Sequence, residues 1–153
     1  MGFHRILIAT DFSSSADAAI EVASQSCMMD GSEITLLNVC HSYIGTSDED
    51  TTALPPLPAL MEDHRQACRS GALKRLEQIA SDRFPGKRVR CEAVIPKLSV
   101  GEEISAFAKQ NSTDLIILGS RGHTRLSSLF VASTVQRVIL TAHSPVLVVR
   151  PKE

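Results

Sequence analysis

The chain has 153 residues, of which 43% are hydrophobic and 22% charged; that is the make-up of one folded domain with its own core and excludes a disordered chain. A net charge of −1 provides no basic face for nucleic acid, and no apolar run approaches the ~20 residues of a membrane span. The opening Met1-Gly2-Phe3-His4-Arg5 has neither the form of a signal peptide nor, with Ile at residue 6, the pattern of a myristoylation site.

In chain order, Arg5 to Ala9 is a short apolar run, and its consecutive apolar residues predict a strand buried on both faces. Asp11-Phe12-Ser13-Ser14-Ser15 follows, rich in N-cap candidates. Ala18, Ala19, Val22 and Ala23 then recur at helical spacing, up to a stop at Asp30-Gly31. Ile34 to Val39 is the second strand. His41 to Pro58, with its acidic run Asp48-Glu49-Asp50 and its prolines, is the longest irregular stretch. A long helix is expected from about Ala59 to Phe84, with Leu73, Leu76, Ile79 and Ala80 on one face, ended by Pro85-Gly86.

Val89 to Ile95 alternates in polarity and predicts a third strand at a sheet edge. Ser99-Val100-Gly101-Glu102 has the form of a capping box, so a helix begins there, with Ile104, Phe107 and Ala108 buried. Asp114 to Leu118 is the fourth strand, and a last helix carries Val135, Val138, Ile139 and Ala142. Pro145 to Arg150 is the fifth strand. Strands alternating with helices imply right-handed crossovers and an α/β fold: a Rossmann-like, doubly wound five-stranded parallel sheet with helices on both faces, in one domain over residues 1–153. In such sheets ligands bind beyond the carboxyl ends of the strands, where the strand order reverses. If strand one lies beside strand four, the crevice is formed by Thr10-Asp11 and the loop after Leu118.

The four cysteines, Cys27, Cys40, Cys68 and Cys91, include no CxxC pair and read as reduced thiols of a cytosolic protein. A metal or redox site would require Cys40-His41 to meet a distant cysteine, and nothing in the spacing points to one. The histidines show no metal-ligand spacing either.

The informative segment is Gly119 to Thr134. Gly119 and Gly122 follow a strand, and Ala132-Ser133-Thr134 stands just ahead of the last helix. Glycines let backbone N–H groups approach a ligand closely, and a helix N-terminus carrying Ser133 and Thr134 favours phosphate. Arg121 and Arg125 add positive charge; His123 either contacts phosphate or, as is commoner for a loop histidine, is solvated. The same glycines would equally serve a plain turn, with Ser133 as an ordinary N-cap.

These segments together resemble the universal stress protein family. The likeness runs through Ile6-Leu7-Ile8-Ala9-Thr10-Asp11-Phe12-Ser13, Leu37-Asn38-Val39, Asp114 to Gly122, and Ser144-Pro145-Val146-Leu147-Val148-Val149-Arg150-Pro151. It implies the fold of the adenine nucleotide alpha hydrolases, strand order 3-2-1-4-5, and a cytoplasmic homodimer joined through Val146–Val149. The family's ATP-binding members carry G-x-x-G, nine residues, then G-[S/T]. Gly119 and Gly122 match the first pair, and Ala132 replaces the third glycine. The resemblance implies a site for ATP or AMP, with or without Mg2+. Asp11 would meet the ribose and the Val39 backbone the adenine edge, while Gly119, Arg121, Gly122, Ser133 and Thr134 would surround the phosphates.

Two departures bear on this. Ala9 stands where nucleotide-binding members often have proline. At Ala132, a required positive φ would cost roughly 1–2 kcal/mol, a required space would be narrowed by one methyl, and a plain helix start would be unaffected. No nucleophile elbow, full Walker loop, zincin or EF-hand pattern occurs, and residues 10–15 lack the glycines of a dinucleotide turn. The resemblance therefore implies a nucleotide-binding stress-response module with an unknown protein partner. Its rivals are a relative that binds no nucleotide and acts through protein contacts, and a weak ATP hydrolase.

Overall fold

The computed structural model describes residues 2–26, 31–40, 58–121 and 131–152. Five strands, β1 (Arg5–Ala9), β2 (Glu33–Val39), β3 (Val89–Val94), β4 (Leu115–Gly119) and β5 (Val146–Val149), alternate with four helices, α1 (Ser14–Ser26), α2 (Pro58–Arg83), α3 (Val100–Gln110) and α4 (Val131–Thr141). Every strand pair is parallel and the order is β3-β2-β1-β4-β5, as the alternation and the resemblance predict.

The central strands are apolar at successive positions because both faces of the sheet are covered. Ile6, Ile8, Ile34, Leu36, Leu115 and Ile117 face one side and pack with Ala19, Ile20 and Ala23 of α1 and Leu76 of α2. The intervening residues Leu7, Ala9, Leu37, Val39, Ile116 and Leu118 face the other, against Ile104 and Ala108 of α3 and Val138 of α4. The two-residue period of a strand thus divides one apolar run between two cores. β3 lies at one edge and is mostly half-buried, while β5, at the other edge, has only Val149 buried.

Two helix faces differ from expectation. In α1, Ala16 and Ile20 join Ala19 and Ala23 in the core, and Ala18 and Val22 take its flank. In α4, Val138 is buried, but Ile139 is 56% exposed and Leu140 76% exposed. Each residue turns a helix by about 100°, so a core centred on Val138 swings Ile139 outward. Val135 and Ala142 pack against that core as predicted.

The stops and caps follow local chemistry. Ser99 Oγ accepts from the Glu102 N–H at 3.3 Å and Glu102 Oε2 accepts from the Ser99 N–H at 3.2 Å, completing the predicted capping box. Gly86, at φ 73°, ends the turn after α2. Gly101 lets α3 and α4 meet: a Cβ there would stand 2.7 Å from Arg137 Cβ and 2.9 Å from the Thr134 carbonyl oxygen. Across the same contact Arg137 reaches Glu102 at 3.0 Å.

Candidate functional site

β1 leads to α1 on one face of the sheet, and its neighbour β4 leads to α4 on the other. The strand order reverses between them, and in sheets of this kind that is where the ligand crevice lies, at the carboxyl ends. The site is built around the turn that leaves β1. Thr10 is almost fully buried and internally bonded. Its N–H donates to the Leu37 carbonyl at 2.9 Å and its Oγ1 accepts from the Phe12 N–H at 3.0 Å. Its carbonyl accepts from Asn38 Nδ2 at 2.8 Å. Thr10 therefore sets the shape of the turn.

Asp11, half-buried, accepts the Ser13 N–H on Oδ1 at 3.0 Å. The N-cap of α1 is Ser13, whose Oγ accepts from the Ala16 N–H at 3.2 Å and whose carbonyl accepts from the Asp17 N–H at 2.9 Å. Of the N-cap candidates between Asp11 and Ser15, the one that caps α1 is thus Ser13. Between them Phe12 has φ 63°, a left-handed conformation that costs a bulky residue about 1–2 kcal/mol. Its ring is held by the α1–α2 core and by a small cluster of Cys40, Ala72 and Ala93. The Arg75 guanidinium lies 3.9 Å above that ring, a cation–π contact.

The end of β4 is fastened to the same turn. A Cβ on Gly119 would lie 2.5 Å from the carbonyl carbon and oxygen of Ser15. The glycine is needed because α1 begins against it. That reason differs from the turn and ligand-approach roles its spacing suggests. Beyond it, the Ser120 N–H donates to the Val149 carbonyl at 2.8 Å. The Arg121 N–H donates to Ser15 Oγ at 3.0 Å, and Ser13 Oγ donates to the Arg121 carbonyl at 3.4 Å. The residue at Arg121 is itself exposed, which leaves a cation at the rim.

Val39 completes the crevice from β2. Residues of a parallel strand direct their peptide groups to alternate sides. The Leu37 carbonyl points to β1, where it meets Thr10, and the Cys40 N–H points to β3, where it meets the Val94 carbonyl at 2.7 Å. The Val39 peptide groups accordingly face the β1 side, past the last registered pair, Ala9 with Leu37.

Ala132, Ser133 and Thr134 fall in the first turn of α4. Ala132 has helical backbone there, so the penalty of a positive φ does not arise. Thr134 meets α3 through its carbonyl beside Gly101. Gly122, His123 and Arg125 lie outside the described residues, as do Cys27 and residues 41–57 with Asp48-Glu49-Asp50. The structure thus joins Asp11, Gly119 and Arg121 through Ser13 and Ser15, with Thr10 shaping the same turn and Val39 on the next strand. Sequence reasoning missed Asn38, Phe12 and Ser15. Only Asn38 carried a signal, as a polar residue inside an apolar strand.

Comparison with known proteins agrees with this architecture. The Universal stress protein family profile matches residues 2–150. A universal stress protein of Bacillus subtilis is 26% identical over 148 residues, covering 97% of this chain and 99% of the relative. The solved structure of MJ0577, a universal stress protein of Methanocaldococcus jannaschii, superposes with a TM-score of 0.81 at 26% identity, covering 100% of this chain and 99% of the other. A family protein of Arabidopsis thaliana, solved with AMP bound, has a TM-score of 0.61 at 17% identity, covering 97% and 92%. With the profile spanning nearly every residue and the strand order matching, this chain belongs to the universal stress protein family.

Proposed function

We propose that the chain is a cytoplasmic adenine-nucleotide-binding module that takes ATP or AMP, with or without Mg2+, in the crevice between β1 and β4. The observation that carries this is the convergence of Asp11, the Val39 peptide groups and the exposed Arg121 on one carboxyl edge, where the strand order reverses. Asp11 supplies a carboxylate for ribose hydroxyls, Val39 a backbone edge for adenine, and Arg121 a cation for phosphate. Gly122, Ser133 and Thr134 would complete the phosphate contacts. The Arabidopsis protein of the same fold holds AMP, which supports an adenine nucleotide as the ligand. The helical backbone at Ala132 reduces the effect of the missing glycine to one methyl of space.

The test is direct. Freshly purified protein is denatured and any released nucleotide identified by mass; the emptied protein is then titrated with ATP, magnesium-ATP and AMP by calorimetry. One nucleotide bound per chain, weakened at least tenfold by Asp11→Ala, is the expected result. No binding at millimolar nucleotide overturns the reading. A second reading, a relative that acts through protein contacts alone, is favoured by the serines and the Arg121 backbone already bonding one another across the crevice.

We also infer a homodimer. Ile139 and Leu140 on α4 are exposed, and β5 is an apolar edge strand of which only Val149 is buried. An open apolar edge invites pairing, and a second copy about a two-fold axis covers it through Val146–Val149. Light scattering at micromolar concentration should give twice the chain mass, and the chain mass for Leu140→Glu; a wild-type monomer defeats the inference.

A further inference from the structure

The fold supplies what the cysteine spacing alone did not: a thiol partner for Cys40. Cys40 follows the last residue of β2 and is buried, with its N–H fixed to the Val94 carbonyl at 2.7 Å. It forms a small cluster with Ala72 and Ala93, and Cys68 of α2 packs against that cluster from a half-buried position. Cys68 and Ala72 are one helical turn apart on the same side of α2, and the two alanines leave room for sulfur. The Cys40 thiol donates to Asn38 Oδ1 at 3.5 Å, and both cysteines are free.

We propose that Cys40 and Cys68 are a redox pair that closes to a disulfide when the protein meets a peroxide, tying α2 to the end of β2. Cys68 is the more accessible and attacks first. Its thiolate takes one peroxide oxygen, the O–O bond breaks, and the departing hydroxide leaves as water after protonation. The Cys40 thiolate then attacks the Cys68 sulfur; the S–S bond forms, the S–O bond breaks, and the hydroxide leaves as water with the Cys40 proton. Two electrons pass from the thiols to the peroxide. Burial, with Cys68 adding to it, pushes the Cys40 thiol up to about 11, which suits a thiol that waits for the second step rather than one that starts the first.

The test treats the reduced chain at low micromolar concentration with hydrogen peroxide, alkylates it with iodoacetamide in denaturant, and maps a non-reducing digest by mass. A linked peptide joining Cys40 to Cys68, with Cys91 alkylated, is expected; dithiothreitol restores both alkylated thiols. In Cys40→Ser, dimedone should capture the Cys68 sulfenic acid that has lost its resolving thiol. Cys40 and Cys68 both alkylated after peroxide, or Cys40 linked to another cysteine, overturns the proposal.

Discussion

Gly119 shows why a residue's type and its reason must be separated. Its place after an apolar strand suggests a turn glycine or a ligand contact, whereas in the structure an added Cβ would stand only 2.5 Å from the Ser15 carbonyl. Gly119→Ala forces α1 away from the sheet, and overpacking of this kind typically costs 1–3 kcal/mol. Urea denaturation should show that loss, and Ser15→Gly should not relieve it, since the clash is with the Ser15 backbone. Of the site residues, Asp11 and Val39 were legible as positions at the ends of their strands. Phe12 was not: nothing in Asp11-Phe12-Ser13 announces a left-handed residue, because its conformation is imposed by the Thr10 Oγ1 bond and by the ring's packing between two clusters. Tertiary contacts overrode local preference there, as they do where backbone strain is over-determined by its surroundings.

Among the elements, those with a strong local signal were legible nearly to the residue. β1, β4 and β5 were evident as short apolar runs, and the start of α3 as a capping box. The box is worth about 1 kcal/mol, so Ser99→Ala should lower the unfolding free energy by that amount, with Ser99→Asp restoring most of it in the same denaturation experiment. Glu102 ties this cap to α4, since its carboxylate accepts from Ser99 on one side and meets Arg137 on the other. The Ser99 hydrogen bonds and then Arg137 hold that carboxyl below the usual range. What the sequence did not disclose is the rotation of each helix about its axis. In α4 the expected face took in Ile139, and the structure turns it outward. Both Val138 and Ile139 are apolar, so periodicity alone cannot say which one meets the sheet; the close approach at Gly101 sets the angle.

For the molecule as a whole, a parallel sheet was legible because each strand is separated from the next by a helix and crossovers are right-handed, while its strand order was legible only through the family resemblance. Its stability should carry a mark of the buried thiol. Cys40 is raised from 9.0 to about 11 by burial first and Cys68 second. The unfolded chain therefore loses its proton near pH 9, while the folded chain keeps it. The thiol's contribution is complete below pH 9 and disappears as pH climbs through about 11. Under reducing conditions the unfolding free energy of the wild type should fall across that window more steeply than that of Cys40→Ala; equal slopes would contradict the assignment. Cys91, raised in the same direction by burial, leaves a residual slope in the variant.

The central place of β1 also governs how the molecule comes into being. Ile6 is registered with Ile34 on one side and with Leu115 on the other, so β1 finds its second neighbour only after the long stretch of chain up to Leu115 has been made. Closing so long a loop slows folding. During synthesis, one side of β1 stays an open strand edge, the kind of surface that recruits foreign strands. A nascent chain halted ahead of Leu115 cannot bury that edge, and the ribosome must deliver β4 before the sheet is safe from aggregation.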